Sequence, residues 1–453
     1  MNKHFCTDKT FFKNYLRLAL WLIIQQAIVL SVNLLDNIMI GSYNENALAG
    51  VTIINQIHFV YNGLLDGLVT GMVVLGSQYW GKKDGESIKK LAPTGFYIAL
   101  AFSLLMFLVA TFIPGSLIGL FTKDPAVITE ALAYLNVIRW SWLFYAVTMF
   151  LLATMRGIGA ASIAVGVSII SLIVNATGNY ALIFGRLGAP ELGSAGAALA
   201  TTIARILEMF IVSFYVFKME KNLCLKIKDV LTPHFEDIGR YMGVAAPILV
   251  AEGSFCCGNA AQAVVLGNLS TTALAANSIS TSLYQLVKVM AIGASNAAAV
   301  CMGQVVSKGK EYAVKCANSL QIIFIAIGIL VAVVLFIIRV PILNMYKVSP
   351  ETRELADQFI KLLCIIGFCM SYQMSCNCGI TRGGGDPKFV MYVDLICIWL
   401  IVIPLSFLAA FKFHWSPLAI MLCLNIDQII KIIPAAIKVN SHTWYKDLTV
   451  EKG

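Results

Sequence analysis

Three polar side chains within apolar runs form the strongest candidate for an ion-binding site. Asp36 has no basic residue within one helical turn, and Asn175 and Asn179 are four positions apart, so both carboxamides lie on one face of a helix. One carboxylate with carboxamide oxygens suits Na⁺, and the same carboxylate can instead hold a proton. An ionisable group in the middle of a membrane helix costs about 2.5–3.5 kcal/mol, which favours a function for Asp36.

A second candidate site lies around Glu252 in the other half of the chain. This carboxylate follows Pro247 by five residues. The proline leaves a backbone carbonyl without its helical hydrogen bond, and a carboxylate beside a broken membrane helix is typical of a cation or proton site. Lys288 is an isolated cation that we expect to neutralise Glu252 or Asp36. Glu252 and Lys288 are therefore assigned to a second cation or substrate site, with a structural ion pair as the alternative.

The other ionisable residues in apolar runs have weaker claims. Four of them form two pairs of opposite charge about one helical turn apart: Arg205 with Glu208, and Asp427 with Lys431. Each pair can neutralise itself on one helix face. Asp66 has no opposite charge within a turn, and Asp394 lies near the start of its run, where it can reach the interface. Asp66 and Asp394 are thus the weaker site candidates.

The composition of the chain excludes a water-soluble globule. Of its 453 residues, 59% are hydrophobic and 13% are charged. About twelve runs reach the roughly 20 apolar residues that cross a hydrocarbon core, and runs this long form helices rather than barrel strands. The expected spans are 16–41, 50–77, 92–114, 132–153, 160–185, 194–217, 241–267, 272–303, 317–340, 357–379, 388–410 and 416–438. The sequence predicts an all-α integral membrane protein with twelve transmembrane helices.

The two halves of the chain repeat each other at one fixed offset. Tyr15 and Tyr241, like Gln78 and Gln304, are 226 residues apart. Because six crossings per half is an even number, the halves share one orientation and are expected to be related by a pseudo-two-fold axis along the membrane normal. The predicted organisation is an N-lobe at 1–217, a cytoplasmic linker at 218–240, and a C-lobe with a short tail at 241–453.

The net charge of +9 follows the positive-inside rule rather than a nucleic-acid surface. Counted from a cytoplasmic N-terminus, the inward segments hold 23 Lys and Arg residues and the outward segments hold eight. Both termini are therefore predicted to be cytoplasmic. The chain has no Walker-type or HExxH motif and no cluster of catalytic side chains, so we predict no enzyme, and transport would draw on an ion gradient.

Several segments resemble, in order, the landmarks of the multidrug and toxic compound extrusion (MATE) family. They are NLLDNIMIG, GSQYWGKKD, LLATMRGIG, GAALATT, AAPILVAE and GITRGGGDPKF. The resemblance, to the bacterial type, implies a V-shaped pair of six-helix lobes and efflux of organic cations driven by Na⁺ or H⁺ entry. It also implies that Asp36 is the helix 1 carboxylate, that Asn175, Asn179 and Thr201 are its partners, and that Glu252 is the helix 7 carboxylate.

We therefore expect a multi-pass antiporter of the bacterial inner membrane that exchanges small organic cations or drugs for Na⁺ or H⁺. It should need no cofactor besides the coupling ion, which would be Na⁺ or H⁺, and should function in the bilayer as a monomer without nucleic acid. The alternative is a lipid-linked oligosaccharide flippase of the same architecture. That function would require several cations to meet phosphate, whereas Lys288 is nearly alone in the sequence.

Overall fold

The computed structural model describes residues 4–232, 235–346 and 348–450, which contain helices and no β-strand. Eleven helices are long and apolar enough to cross a membrane, and a bent pair near the C-terminus makes up to twelve crossings. The helices are α1 Lys9–Tyr43, α2 Glu45–Gly81, α3 Gly85–Phe112, α4 Pro125–Gly157, α5 Ser162–Phe184, α6 Gly193–Met219, α7 Ile238–Gly267, α8 Thr271–Val306, α9 Lys310–Met345, α10 Pro350–Thr381, α11 Pro387–Lys412, and the pair α12 Pro417–Leu424 and Ile426–Asn440. The predicted all-helical membrane class is confirmed.

Most helices extend beyond the apolar runs that predicted them. The first begins at Lys9, seven residues before the expected start. At the start of α3, the Asp84 carboxylate accepts a hydrogen bond from the backbone N–H of Ser87 at 3.0 Å. The apolar run marks the part of a helix that faces lipid, whereas capped polar turns continue the helix past it. Sequence therefore locates the crossings better than their ends.

The last predicted span is bent rather than straight. It breaks between Leu424 and Ile426, where its two parts meet at 51°. At the break, the Asn425 side chain donates to the carbonyl of Met421 at 3.0 Å. Such a bond competes with the regular helical ladder, which accounts for the interruption. The bend places Asp427 in the first turn of the second part.

Within the described residues, three helices contain wider π-helical turns: α6 ends with Tyr215–Met219, and α11 contains Leu408–Lys412 at its end. Two further segments concern the cavity described below, because Ser375–Thr381 ends α10 and Ile396–Val402 lies within α11. In a π turn the hydrogen bonds run to the fifth residue, so the side chains that follow rotate relative to an α-helix. Such turns are frequent at functional sites, and both segments line the cavity described below.

The chain divides into two compact units that do not coincide with the halves of the repeat. The C-terminal unit comprises Met1–Ile23, Ser77–Lys83 and Val250–Gly453, and the N-terminal unit comprises Ile24–Gly76 and Asp84–Leu249. Each unit therefore consists mainly of one half of the sequence. The lobes at 1–217 and 241–453 and the linker at 218–240 stay a prediction from the repeat.

The predicted linker is a folded part of the N-terminal unit. Leu223, Leu225 and Val230 are each 2% exposed, and the hydroxyl of Tyr97 donates to the Leu231 carbonyl at 2.7 Å. A short helix, Ile227–Leu231, lies within this segment, whereas residues 233 and 234 lie outside the described residues. Buried leucines and valines tie the segment to its unit, so it is not an extended tether.

Residues 441–449 form a C-terminal strap across the C-terminal unit. Trp444 is fully buried, and the backbone N–H of Leu448 donates to Gln78 Oε1 at 2.8 Å. A Cβ at Gly384 would collide with the Trp444 ring, so only glycine fits beneath the strap. The strap is thus fixed by packing and by hydrogen bonds to the end of α2.

Asp386 forms one ion pair with the strap and one with α12. Its side chain is 5% exposed and lies 2.8 Å from Lys438 Nζ and 2.9 Å from Lys446 Nζ. Burial alone would raise the pKa of this carboxyl, but the hydrogen bonds to the two ammonium groups outweigh it and hold the pKa below its ordinary value. Because the folded pKa is lowered, this stabilisation is complete above about pH 4 and is lost as the pH falls through the folded value.

Asp386→Asn should lower the free energy of unfolding by about 1.5–3 kcal/mol at neutral pH, since it removes two charge-assisted hydrogen bonds. The thermal midpoints of wild type and variant, measured in detergent, should converge below about pH 4. The control is Glu311→Gln, because the pair of Glu311 with Lys315 lies at the surface. Equal midpoints at pH 7 for wild type and Asp386→Asn would contradict this role.

Candidate cation site and charged cavity

The structure brings Asp36 together with the asparagines predicted as its partners. Asn179 Nδ2 on α5 donates to Asp36 Oδ1 on α1 at 2.5 Å, and also to Asn175 Oδ1 at 3.3 Å. Asn175 Nδ2 in turn donates to Thr201 Oγ1 on α6 at 3.0 Å. All four polar side chains therefore form one connected chain of hydrogen bonds across three helices.

One oxygen in this network has no partner. Asn179 is fully buried, and its Oδ1 accepts no hydrogen bond from any described residue. A buried carbonyl oxygen without a donor is costly, and buried polar groups of this kind usually meet a water or a ligand. The free oxygen lies on the same side chain that donates to the Asp36 carboxylate, so it points to a cation or a protonated group as the missing partner.

The donor set fits a hard monovalent cation. Within the described ranges, no group of three or more His, Cys, Asp or Glu side chains could hold a metal ion. A cation at the Asp36 network would be held by one carboxylate, Asp36, supplemented by neutral oxygens of Asn179, Asn175 and Thr201. Hard oxygen ligands of low total charge suit Na⁺, and the lone carboxylate can alternatively take a proton.

The neighbouring charges of the N-terminal unit are paired as predicted. Arg205 Nη1 lies 2.7 Å from Glu208 Oε2, and the Arg205 guanidinium lies 4.5 Å from the ring centroid of Tyr145. The ion pair and the cation–π contact balance the positive charge of Arg205. This charge also interacts electrostatically with the Asp36 carboxylate. Asp66 is half-buried on α2 and has no ion pair or hydrogen bond among the described residues, and it is not joined to the Asp36 network. Its role stays a prediction.

The second candidate region is a cavity inside the C-terminal unit. It has a volume of about 220 Å³ and continues into a smaller space of about 100 Å³. Its charged lining consists of Glu252, Lys288, Arg382, Asp394, Asp427 and Lys431. Three carboxylates and three cations thus surround one cavity. The sequence assigns Glu252 and Lys288 to a second site, whereas it assigns Asp427 and Lys431 to a pair that neutralises itself.

Lys431 forms the centre of an ionic triad in this cavity. Its Nζ lies 3.0 Å from Asp427 Oδ2, as the four-residue spacing predicts, and 2.9 Å from Asp394 Oδ1. Lys431 is only 7% exposed. The expectation that Asp394 reaches the interface is wrong, because its carboxylate turns toward Lys431 on α12. Lys431 pairs with both carboxylates because a buried charge without a counter-ion is unfavourable.

Glu252 forms an ion pair with Arg382, which lies between two of the expected membrane spans. Arg382 Nη2, directly after α10, lies 3.4 Å from Glu252 Oε1. The expectation that Lys288 neutralises Glu252 is therefore wrong, and so is the statement that Lys288 is nearly the sole cation available. In addition, α7 runs from Ile238 to Gly267 through Pro247, so Glu252 lies in a continuous helix rather than beside a broken one.

Arg382 is the functional candidate that sequence reasoning missed. It is 8% exposed and follows the π-helical segment Ser375–Thr381, which places its side chain toward α7. Two features of the sequence point to Arg382. It lies in register with Arg156 at the repeat offset of 226 residues, and it belongs to the GITRGGGDPKF segment.

The Asp36 site has no copy in the second half of the chain. The position in register with Asp36 is Gln262, whose Nε2 donates to the carbonyl of Leu424 at 3.1 Å. A neutral amide carries no negative charge and does not titrate. The two units therefore carry different chemistry on related scaffolds.

Comparisons with known proteins show which family the chain belongs to. A family model named MatE matches residues 22–181 and 247–408. The chain is 23% identical over 446 residues to the uncharacterized transporter YisQ of Bacillus subtilis (strain 168), covering 96% of this chain and 95% of that protein. It is also 23% identical over 436 residues to the probable multidrug resistance protein NorM of Thermotoga maritima, covering 96% and 93%.

Solved structures of MATE transporters have the same fold as this chain. A crystal structure of a mutant of the Vibrio cholerae MATE transporter VcmN is similar with a TM-score of 0.86 at 16% identity, covering 97% of this chain and 98% of that chain. The family model matches both halves of the chain and more than half of its residues. The chain therefore belongs to the MatE family, the multidrug and toxic compound extrusion transporters.

Proposed function

We propose that this protein is a secondary active antiporter that exports organic cations or drugs in exchange for Na⁺ or H⁺. The observation that carries the proposal is the Asp36 network, in which one carboxylate and an unpartnered carboxamide oxygen meet inside the N-terminal unit. Family membership and the names of relatives such as the probable multidrug resistance protein NorM support efflux as the direction of transport.

Coupling requires only that each ligand favours a different state of the transporter. An ion that binds Asp36 better in the outward-open state shifts the equilibrium toward that state, and an organic cation that binds better in the inward-open state shifts it back. By linkage, each ligand weakens the binding of the other, even when the two do not touch. Asp36 supplies the negative charge, and Asn179 orients that charge through the 2.5 Å hydrogen bond.

The same proposal includes the membrane in which the protein functions, its topology and its oligomeric state. The protein functions as a monomer in the bacterial inner membrane with both termini in the cytoplasm, as the distribution of Lys and Arg favours. A lipid-linked oligosaccharide flippase is less well supported. Arg382 and Lys431 do add positive charge to the cavity of the C-terminal unit, but carboxylates already neutralise both.

The test is ethidium efflux from proteoliposomes with sodium and pH gradients imposed separately. We expect the dye to move against its gradient when at least one of the two ion gradients is present, and to equilibrate when neither is. Protein-free liposomes serve as the reference for passive leak. Wild-type efflux that depends on neither gradient would contradict the antiporter mechanism.

A further inference from the structure

The first half of α4 carries an arginine whose guanidinium has no acceptor within the described part of the protein. Arg139 forms neither an ion pair nor a hydrogen bond with any described residue, and its Nε is buried without a partner. The guanidinium lies 5.9 Å from the centroid of the Phe107 ring on α3. A guanidinium has five N–H donors and no acceptor, so it requires an acceptor from another molecule.

Two further polar side chains lie on the same face of α4. Asn136 and Trp140 are four residues apart, and Arg139 follows Asn136 by three residues, so the three side chains share one helix face. Asn136 and Trp140 are exposed, and neither side chain forms a hydrogen bond with the described residues. A carboxamide and an indole both supply N–H donors. We call Asn136, Arg139 and Trp140 the donor face.

The neighbouring surface of α3 is apolar and exposed. The ring centroid of Phe107 lies 4.6 Å from that of Trp140. Leu104 and Leu108, within one turn of Phe107, are both exposed. Because α3 and α4 are long and apolar enough to cross a membrane, these exposed side chains contact lipid. Lipid is therefore the molecule that covers the donor face.

The donor face lies near the end of the membrane span of α4. The expected span begins at residue 132, so Asn136 and Arg139 lie about 6 and 10 Å inside it at the helical rise of about 1.5 Å per residue. Helical side chains lean toward the N-terminus of their helix, and the long arginine side chain extends toward the interface. Tryptophan is typical of the same level. The guanidinium therefore reaches the headgroup phosphates.

The charge of the donor face favours a lipid with a net negative headgroup. A guanidinium binds two phosphate oxygens at once through parallel N–H donors. Because no described carboxylate pairs with Arg139, a headgroup ammonium finds no anion at this position. Phosphatidylglycerol has no ammonium group, and its glycerol hydroxyls can accept from neutral N–H donors.

We propose that the donor face binds the headgroup of phosphatidylglycerol, with Arg139 holding the phosphate and with Asn136 and Trp140 donating to phosphate or glycerol oxygens. In the topology proposed above, this lipid belongs to the outer leaflet. The lipid site lies in the N-terminal unit and does not involve Asp36, so it is a function in addition to the exchange of ions and organic cations.

Brominated lipids test the proposal, because bromine quenches tryptophan fluorescence at short range and Trp140 belongs to the site. The purified full-length protein is reconstituted into phosphatidylcholine bilayers with increasing fractions of brominated phosphatidylglycerol or, separately, brominated phosphatidylcholine. The chain has seven tryptophans, so the Trp140 signal is the difference between wild type and Trp140→Phe. Half-quenching of Trp140 should require about fivefold less brominated phosphatidylglycerol, as one basic residue near an anionic lipid gives.

The effect should depend on Arg139 rather than on the overall charge of the protein. Arg139→Met, with and without Trp140→Phe, should make the half-quenching fractions of the two lipids equal. Lys123→Met removes the same charge from an exposed position before α4 and should keep the preference. An equal loss of preference in both variants would overturn the proposal, because surface potential alone would then attract the lipid.

The comparison of the two lipids in wild type requires no change at Arg139, so it covers the case in which Arg139→Met does not fold. Equal half-quenching fractions in wild type would overturn the proposal.

A competition measurement distinguishes the lipid from a soluble phosphate. Glycerol 3-phosphate carries a phosphate and a glycerol without acyl chains. Its addition should leave the quenching of Trp140 by brominated phosphatidylglycerol unchanged, whereas displacement of the lipid would overturn the assignment to a membrane ligand. These measurements need no ion gradient, so their outcome is independent of the ethidium efflux that tests the antiporter mechanism.

Discussion

Asp36→Asn is expected to reduce gradient-driven efflux by about two orders of magnitude, to the rate of passive leak. Asparagine keeps the shape of the side chain and can still hydrogen-bond Asn179, but it removes the negative charge that holds Na⁺ or a proton. Coupling between two ligand sites typically amounts to about 5–150-fold in affinity, and its loss removes the driving force. Dye efflux from proteoliposomes, with substrate affinity measured in parallel, checks the prediction.

The two measurements separate coupling from folding. Substrate affinity in detergent should change less than about twofold, because the Asp36 network lies outside the charged cavity. Asn37→Ala, at the exposed next position of α1, provides the control and should transport at the wild-type rate. If vesicles with Asp36→Asn expel dye as fast as wild type, coupling depends on another residue, and half-buried Asp66 on α2 becomes the next candidate.

The second large effect concerns stability. Lys431→Met should lower the free energy of unfolding by about 3–5 kcal/mol, since it leaves Asp394 and Asp427 facing each other without a cation. The two carboxylates lie 2.9 Å and 3.0 Å from Lys431 Nζ, which is 7% exposed. Thermal unfolding of the detergent-solubilised protein, followed by tryptophan fluorescence, provides the measurement.

Two further variants test whether the loss of stability in Lys431→Met comes from the ionic triad. Lys361→Met removes a lysine that is 52% exposed and should cost about 0–1 kcal/mol. Adding Asp394→Asn to Lys431→Met should recover part of the loss, because it removes one of the two like charges. A midpoint for Lys431→Met within the range of the Lys361→Met control would show that the triad contributes little.

The architecture was readable from the sequence because lipid imposes a simple rule on long apolar runs. Each run must satisfy its backbone hydrogen bonds internally, so its length predicts a helix whatever its neighbours are. The Asp36 network was accessible only in part. The four-residue spacing of Asn175 and Asn179 fixes both amides on one face of α5. No periodicity joins Asn179 to Asp36, and Thr201 was implied only by the family resemblance. Local periodicity was sufficient for the helices and for the shared face of the two asparagines.

The charged cavity was not readable, for reasons that are also physical. The partner of Glu252 lies 130 residues away, and no periodicity connects Glu252 with Arg382. The π-helical segments Ser375–Thr381 and Ile396–Val402 rotate the side chains that follow, and apolar composition gives no indication of such a turn. The bend at Asn425 similarly depends on one side-chain hydrogen bond. Long-range pairing and local helix defects therefore limited the prediction of the site.

The position of the strap has a consequence for how the protein is made. The C-terminal unit combines Met1–Ile23 with Val250–Gly453, so its earlier-synthesised segment must wait for the later one. Trp444 can fill the space over Gly384 only once residue 444 has emerged, whereas the N-terminal unit is complete once Leu249 has emerged. The N-terminal unit can therefore fold earlier during translation, and the C-terminal unit is the one that depends on protection by the insertion machinery until the strap has been synthesised.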